Sequence, residues 1–187
     1  MIKEYKIPFV GDASVGKTSI ITRFSHNRFN DSTLPTVGGS NFHVTVDSGG
    51  SSVVLNIWDT AGQEKFRSLV PLYTRGADLV VIVFDIAEPE SFKGVEEWFN
   101  KIRGEYMLKC PVFVVANKID LEAMLSINEI KKWCSDHDTT VFFTSAATGR
   151  DIDTLFDGIA QEVGNRQKFS EEVIGVKGDN TKSENCC

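Results

Sequence analysis

Short apolar runs alternate along the chain with segments whose apolar residues recur at helical spacing. The runs Leu79–Asp85 and Val112–Ala116 are almost continuously apolar, which is typical of strands covered on both faces. The same pattern predicts four further strands and four helices. The strands are Tyr5–Val10, Phe42–Val46, Val53–Trp58 and Val141–Thr144, and the helices are Lys17–Phe24, Ser91–Gly104, Ile127–His137 and Ile152–Val163.

This order of elements predicts an α/β fold with one mostly parallel six-stranded sheet. Helices cover both faces of the sheet, and the turn residues Asp47–Gly50 join strands two and three into a hairpin, which adds one antiparallel edge strand. Pro8 conflicts with this prediction. It lies inside the first strand, whereas proline, which lacks a ladder N–H, is normally found at a sheet edge or a bulge. The strand prediction is kept, and Pro8 is left unexplained.

The length of 187 residues predicts one domain, over residues 1–164, followed by a flexible tail, residues 165–187, in which Ser, Glu, Asn, Lys and Gly dominate. The net charge of −6 and the pI near 5.1 argue against nucleic acid as a partner. We expect neither a signal peptide nor a transmembrane span. The four cysteines are too few for a disulfide framework, which favours a reducing compartment.

A phosphate-binding motif, G-x-x-x-x-G-K-[ST], spans Gly11–Thr18 between the first strand and the first helix. Glycines let such a loop turn its N–H groups towards phosphate, and the helix N-terminus favours negative charge. Lys17 can reach the terminal phosphates, and the Thr18 hydroxyl suits Mg²⁺. The residues predicted to bind the nucleotide here are Ala13, Ser14, Val15, Gly16, Lys17, Thr18 and Ser19.

A second motif, Ile57–Glu64, carries candidate metal and catalytic residues. Asp59 ends an apolar strand, where its carboxylate can hold the metal ion, and Gly62 lets a backbone N–H approach a γ-phosphate. Gln63 is placed to orient an attacking water.

The base is indicated by Asn117-Lys118-Ile119-Asp120, which follows a buried strand at the sheet edge where ligands bind. The Asp120 carboxylate can accept from guanine N1–H and N2–H₂ together, a donor pair that adenine lacks. Asn117 can brace the loops and the Lys118 stem can cover the base, while Ser145 and Ala146 can present a backbone N–H to guanine O6. We therefore predict GTP and GDP as ligands.

With these motifs the chain resembles the Ras superfamily of small GTPases over residues 5–164, and within it the Rab family. The resemblance rests on Ile57–Gln63, Lys65–Leu69, Tyr73–Ala77 and Val83–Ile86. It implies a three-layer P-loop small-GTPase domain. It also implies that Thr36 binds Mg²⁺ and senses the γ-phosphate, that Phe29 packs on guanine, and that residues 62–76 form the second switch.

Four positions depart from the family pattern, and Pro8, described above, is one of them. Ala13 stands where Ras proteins have glycine, and its methyl group is expected to slow intrinsic hydrolysis. Ala147, also counted in the base site, replaces a lysine, so we expect a lost contact and faster nucleotide release. Asn41 replaces an aromatic residue of the Rab effector surface. Phe42 cannot substitute for it unless the strand shifts or bulges, because neighbouring strand residues face opposite ways.

The chain ends in Cys186-Cys187, which resembles the Rab ending that carries two geranylgeranyl groups. The tail from residue 165 has four basic and four acidic residues. Because it is neutral, membrane anchoring needs both lipids. The expected location is the cytosol and the cytoplasmic face of an endosome or transport vesicle.

The resemblance implies a monomeric GTP hydrolase that cycles between GTP and GDP and recruits effectors when GTP is bound. Its further partners are an exchange factor, a GTPase-activating protein (GAP) and a prenyl-escort protein (GDI). The phosphate loop contains no arginine, so slow intrinsic turnover and stimulation by a GAP are expected.

Three alternatives remain open at this point. The first is a nucleoside kinase, for which the chain has no spare segment to form a lid. The second is a guanine-nucleotide-binding module that works by exchange alone. The third is a Ras- or Rho-type signalling GTPase, against which the double-cysteine ending argues.

Overall fold

The computed structural model describes residues 4–30, 36, 39–48, 51–62 and 69–176. Strands and helices alternate through these segments. The strands are β1 (Glu4–Val10), β2 (Gly39–Ser48), β3 (Ser51–Thr60), β4 (Val80–Asp85), β5 (Val112–Asn117) and β6 (Thr140–Phe143). The helices are α1 (Lys17–His26), α2 (Val70–Thr74), α3 (Pro89–Asn100), α4 (Ile127–Asp136) and α5 (Ile152–Val176).

These six strands form one sheet in the order β2-β3-β1-β4-β5-β6. Among the described strands, only β2 pairs antiparallel with its neighbour, and the other neighbouring strands run parallel. The predicted hairpin and the mostly parallel sheet are therefore confirmed. Because the parallel strands point the same way, the loops that follow β1, β3, β4, β5 and β6 meet at one edge of the sheet.

Alternate residues of the central strands pack on opposite faces. In β4, Val81 and Val83 join the core beneath α1 and α5, whereas Ile82 and Phe84 join the core beneath α2, α3 and α4. On the first face the ring of Phe156 stacks on that of Phe24, with centroids 3.8 Å apart. Helices therefore cover both faces, as predicted, and their burial holds the edge loops in place.

Helices α2 and α3 differ from the sequence prediction. Helix α2 was not predicted, because its five residues are too short to show a helical period. Helix α3 ends at Asn100 and continues as one π-helical turn, Lys101–Glu105, in which the Tyr106 N–H donates to Lys101 O over 2.7 Å.

Helix α5 continues to Val176 instead of ending at Val163, so it includes the first part of the segment predicted as a flexible tail. Once a helix has nucleated, adding helix-forming residues costs little, and Arg166 pairs with Glu162 one turn earlier over 2.9 Å. Residues 177–187 lie outside the described residues, and the domain boundary at 164 stays a prediction.

Pro8 lies inside the central strand β1, so the strand prediction is confirmed despite the proline. The Lys6 N–H donates to Asp78 Oδ2 over 2.8 Å, on the β4 side of the strand. Residue 8 faces the same side because backbone groups alternate along a strand. The ladder with β4 begins only at Phe9, opposite Val81. The N–H that Pro8 lacks would therefore lie just before the β1–β4 ladder begins, so the proline removes no hydrogen bond between the paired residues.

Candidate nucleotide site

A cavity of about 490 Å³ opens at the sheet edge where the loops meet. It is bounded by the loop after β1, the end of β3, the loop after β5 and the loop after β6. The lining residues are Ala13, Ser14, Gly16, Lys17, Thr18, Ser19, Phe29, Asn30, Thr36, Thr60, Gly62, Asn117, Lys118, Asp120, Leu121, Ala146 and Ala147.

Most residues that the sequence singles out line this cavity. Val15, Asp59 and Ser145 do not line it, and all three are buried. Gln63, Cys186 and Cys187 lie outside the described residues. Three further lining residues were not predicted as site residues: Asn30, Thr60 and Leu121. Thr60 lies inside the second motif, and Asn30 and Leu121 each follow a predicted site residue directly.

The phosphate loop needs an unusual backbone at residue 16. Gly16 has a φ of +98°, and a Cβ there would lie 2.3 Å from Asn117 Nδ2. Both the left-handed backbone and the close approach of Asn117 require glycine. Helix α1 begins at the next residue, so its free N–H groups face the cavity.

Lys17 is held by the loop that precedes it. Its Nζ donates to Gly11 O over 2.8 Å and to Asp12 O over 2.7 Å, and the side chain is buried. Burial lowers the pKa of Lys17 to about 8, and the nearby charges of Asp59 and Asp12 oppose that shift. The amine thus lies ready beside the cavity, where an anionic ligand would favour its charged form.

Three oxygen-bearing side chains converge beside Lys17. Thr18 Oγ1 donates to Asp59 Oδ2 over 2.6 Å, and Thr36 Oγ1 lies 3.0 Å from Thr18 Oγ1 and 3.4 Å from Asp59 Oδ2. Asp59 Oδ1 is buried and has no hydrogen-bond partner among the described residues. Burial raises the pKa of Asp59, while the Thr18 hydrogen bond, the Lys17 charge and the Thr36 hydrogen bond act the other way. A buried, unpartnered carboxylate oxygen beside two hydroxyls fits a hard cation such as Mg²⁺.

Gly62 lies directly against the phosphate loop. A Cβ at this position would lie 2.3 Å from Asp12 O and 2.6 Å from the Ala13 nitrogen. Only glycine allows the chain after β3 to come so close to Ala13. Residue 62 lines the cavity, and its contact with a γ-phosphate stays a prediction.

Asn117 joins three loops from the end of β5. Its Nδ2 donates to Val15 O over 2.9 Å, and its Oδ1 accepts from Ala146 N over 3.2 Å and from Thr144 Oγ1 over 3.3 Å. Asn117 is 1 % exposed. One amide side chain therefore locks the phosphate loop to the loop that follows β6.

Lys118 and Asp120, which belong to the same motif as Asn117, also line the cavity. Lys118 Nζ pairs with Asp85 Oδ2 over 2.6 Å, which holds its stem across the cavity, and its backbone is left-handed with a φ of +65°. Asp120 is exposed, and its Oδ1 accepts from the buried Ser145 hydroxyl. That hydrogen bond orients the carboxylate from behind.

A contact outside these motifs reaches the phosphate loop from α3. Trp98 Nε1 donates to Asp12 Oδ1 over 3.2 Å. A Cβ on Gly94 would lie 2.4 Å from Asp12 Oδ2, so this helix position has to be small. Sequence inspection missed both residues because they lie far along the chain from Asp12.

Comparison with known proteins decides the family. A sequence model of the Ras family matches residues 6–165. Rab-5B of Plasmodium falciparum (isolate 3D7) is 38 % identical over 164 residues, covering 87 % of this chain and 79 % of that protein. Rab-13 of Bos taurus is 33 % identical over 162 residues, covering 85 % and 79 %. Rab-13 of Mesocricetus auratus is 30 % identical over 194 residues, covering 98 % and 95 %.

The chain belongs to the Rab family of small GTPases. It is a guanine-nucleotide-binding GTP hydrolase that acts as a switch in vesicle traffic, which confirms the predicted family, fold and activity. The kinase alternative and the Ras- or Rho-type alternative are thereby set aside. In the described part of the chain, no helix has the length and apolar character needed to cross a bilayer.

Asn41 is the residue that the family resemblance predicts on the effector surface in place of an aromatic residue. The β2–β3 ladder is unbroken, with Asn41 opposite Trp58 and Phe42 opposite Ile57, so Phe42 does not replace the missing aromatic residue. Asn41 is exposed, and its Nδ2 donates to Asn56 Oδ1 over 2.7 Å. Trp58 still contacts Tyr73, with ring centroids 5.5 Å apart. Two aromatic rings, those of Trp58 and Tyr73, therefore lie beside the polar amide pair of Asn41 and Asn56.

Gly94→Ala is expected to weaken GDP binding about fivefold to tenfold, because the new methyl group displaces the Asp12 carboxylate from Trp98. The comparison is Gly104→Ala, where a Cβ meets no described atom within 4 Å. Titration with a fluorescent GDP analogue measures the nucleotide affinity of both variants. Equal affinities for Gly94→Ala, Gly104→Ala and the unaltered chain would show that this contact does not influence the phosphate loop.

Proposed function

We propose that this Rab protein is an Mg²⁺-dependent hydrolytic switch in which Gln63 and Lys17 act on the γ-phosphate and Thr36 and Gly62 sense its presence. The observation that carries the proposal is the meeting of Lys17 with the Thr18–Thr36–Asp59 oxygens beside one cavity. Loss of the γ-phosphate removes the ligand that ties residues 36 and 62 to the phosphate loop. The switch segments then separate from it, and effectors are released.

Thr18, Thr36 and Asp59 would hold the metal ion. Their support is Asp59 Oδ1, which no described residue contacts by a hydrogen bond, and the two hydroxyls within hydrogen-bond distance of Oδ2. When bound, Mg²⁺ neutralises phosphate charge and raises the electrophilicity of the γ-phosphorus. In the same region Lys17 supplies a second positive charge, and its two carbonyl contacts hold the amine in place before the nucleotide enters.

The base site would recognise guanine through Asp120, with the Lys118 stem and Phe29 on the two faces of the ring. Support comes from the Ser145 hydrogen bond that turns the Asp120 carboxylate and from the lining of the cavity by Asp120, Lys118 and Phe29. Phe29 is 38 % exposed, which leaves ring surface for a base to cover.

Hydrolysis would be slow without help, because no arginine of the phosphate loop can stabilise the transition state and Ala13 crowds the γ-phosphate. Water is the nucleophile, Gln63 orients it, and an activating protein would supply the missing positive charge. Support for the role of Ala13 comes from its place in the cavity lining and from its nitrogen, which lies next to Gly62.

Single-turnover hydrolysis of bound GTP tests these roles. We expect Gln63→Leu to reduce the rate about 10²-fold or more and Ala13→Gly to raise it, since one change removes the water-orienting amide and the other removes a methyl group. Gln161→Leu, an exposed position on α5, is the matched control. If Gln63→Leu hydrolyses GTP as fast as Gln161→Leu does, Gln63 is not catalytic. Chelating Mg²⁺ in the same assay should stop hydrolysis.

Membrane attachment is proposed through geranylgeranyl groups on Cys186 and Cys187, with an escort protein shielding them in the cytosol. The relatives named Rab-5B and Rab-13 support an endomembrane location, with the cytoplasmic face of an endosome or transport vesicle as the proposed site. Exchange factor, GAP and effectors complete the cycle. An unmodified mass for chain isolated from membranes would contradict the lipid anchor.

A further inference from the structure

Arg23 reaches from α1 to the loop that follows β6. Its Nε donates to Ala146 O over 2.7 Å and its Nη2 donates to Ala147 O over 2.6 Å. A planar guanidinium can bind two neighbouring acceptors at once. Two charge-assisted hydrogen bonds therefore hold consecutive carbonyls of the loop.

The same guanidinium joins other parts of the base site. Its central carbon lies 5.8 Å from the centroid of the Phe29 ring, and Nη1 lies 3.5 Å from Asn27 O at the end of α1. Phe29 and Ala147 both line the cavity. Arg23 thus connects the aromatic residue on one side of the cavity with the backbone loop on the other.

The direction of one amide follows from these bonds. In a trans peptide the C=O and the next N–H point in opposite directions. Because Ala146 O is bound to Arg23, the Ala147 N–H points away from Arg23, and Ala147 lines the cavity. The Ala146 N–H donates to Asn117 Oδ1 over 3.2 Å. The loop is therefore held at residue 146 from both sides, by Asn117 at its nitrogen and by Arg23 at its oxygen.

We propose that Arg23 is a positioning residue for base recognition, which sets the backbone amide of residue 147 against the oxygen at position 6 of guanine. The inference rests on the proposed function of the loop. It also bears on Ala147, whose methyl group provides no polar anchor where the family has lysine. Arg23 anchors the backbone of that residue directly and acts from α1, so the loop does not depend on the side chain at position 147.

Release of GDP, inosine diphosphate and 6-thio-GDP by the full chain tests the proposal. Position 6 carries oxygen in GDP and a weakly accepting sulfur in 6-thio-GDP, and inosine diphosphate lacks only the 2-amino group. For Arg23→Ala we expect GDP release to be roughly tenfold faster, because two charge-assisted bonds are lost. The preference for GDP over 6-thio-GDP should shrink, while the preference for GDP over inosine diphosphate, set by Asp120, stays unchanged.

Arg150→Ala is the matched control, since Arg150 lies in the same loop and its side chain pairs with Asp151 instead of the two carbonyls. Arg23→Lys keeps the charge but cannot span both acceptors, so its rate of GDP release should lie between those of the unaltered chain and Arg23→Ala. It replaces Arg23→Ala in the experiment if that variant does not fold. Equal acceleration for all three nucleotides, or no acceleration, would overturn the proposal. Failure of the unaltered chain to bind GDP would instead contradict the proposed function.

Discussion

Asp120→Asn is expected to convert the protein from a guanine-binding to a xanthine-binding one. The carboxylate accepts from guanine N1–H and N2–H₂, whereas an asparagine amide places its NH₂ group against one of these donors. Xanthine carries oxygen at position 2, so the same amide can donate to it and still accept from N1–H. Losing charge-assisted bonds and creating a donor clash should weaken GDP binding by about 10² to 10⁴-fold.

Competition of GDP and xanthosine diphosphate against a fluorescent nucleotide measures this change. In the Asp120→Asn variant the Ser145 hydroxyl can still donate to the side-chain amide oxygen, so the fold of the loop should persist. Glu122→Gln is the control, because it removes an exposed carboxylate two residues away that does not line the cavity. A variant that loses affinity for both nucleotides equally would show that Asp120 supports the loop and does not read the base.

Asn117→Ala is expected to accelerate GDP release about 10² to 10³-fold and to lower the melting temperature of the protein. The substitution leaves the Val15 carbonyl and the Ala146 amide without their buried partner. Each buried polar group left unpaired costs about 1–3 kcal/mol. Since Asn117 links the phosphate loop to the base loop, its loss also uncouples two halves of the nucleotide site.

The rate of GDP dissociation, together with the melting temperature recorded with and without GDP, separates these two effects. Asn117→Asp keeps acceptor oxygens for Ala146 N and Thr144 Oγ1 but sets a carboxylate oxygen against Val15 O, so it should release GDP rapidly as well. Asn100→Ala, at the exposed end of α3, is the control. If Asn117→Ala melts earlier yet releases GDP at the rate of Asn100→Ala, the side chain stabilises the fold only.

The sequence alone was sufficient to predict the family, the six strands and most of the residues that line the cavity. Those features depend on short stretches: apolar runs specify buried strands, and the glycines and lysine of residues 11–18 specify a phosphate loop wherever a strand meets a helix. Because parallel strands end at one edge, the order of the three motifs already predicts that they meet.

Only the tertiary structure decided which residues support that edge from behind. Arg23 looks like an ordinary cation on an amphipathic helix until the β6 loop packs against it, and Trp98 touches Asp12 only because α3 lies beside the phosphate loop. Pro8 is tolerated in a central strand because the β4 ladder begins one residue later. These contacts join segments that are distant along the chain, so they depend on how loops and helices pack and leave no local pattern to read.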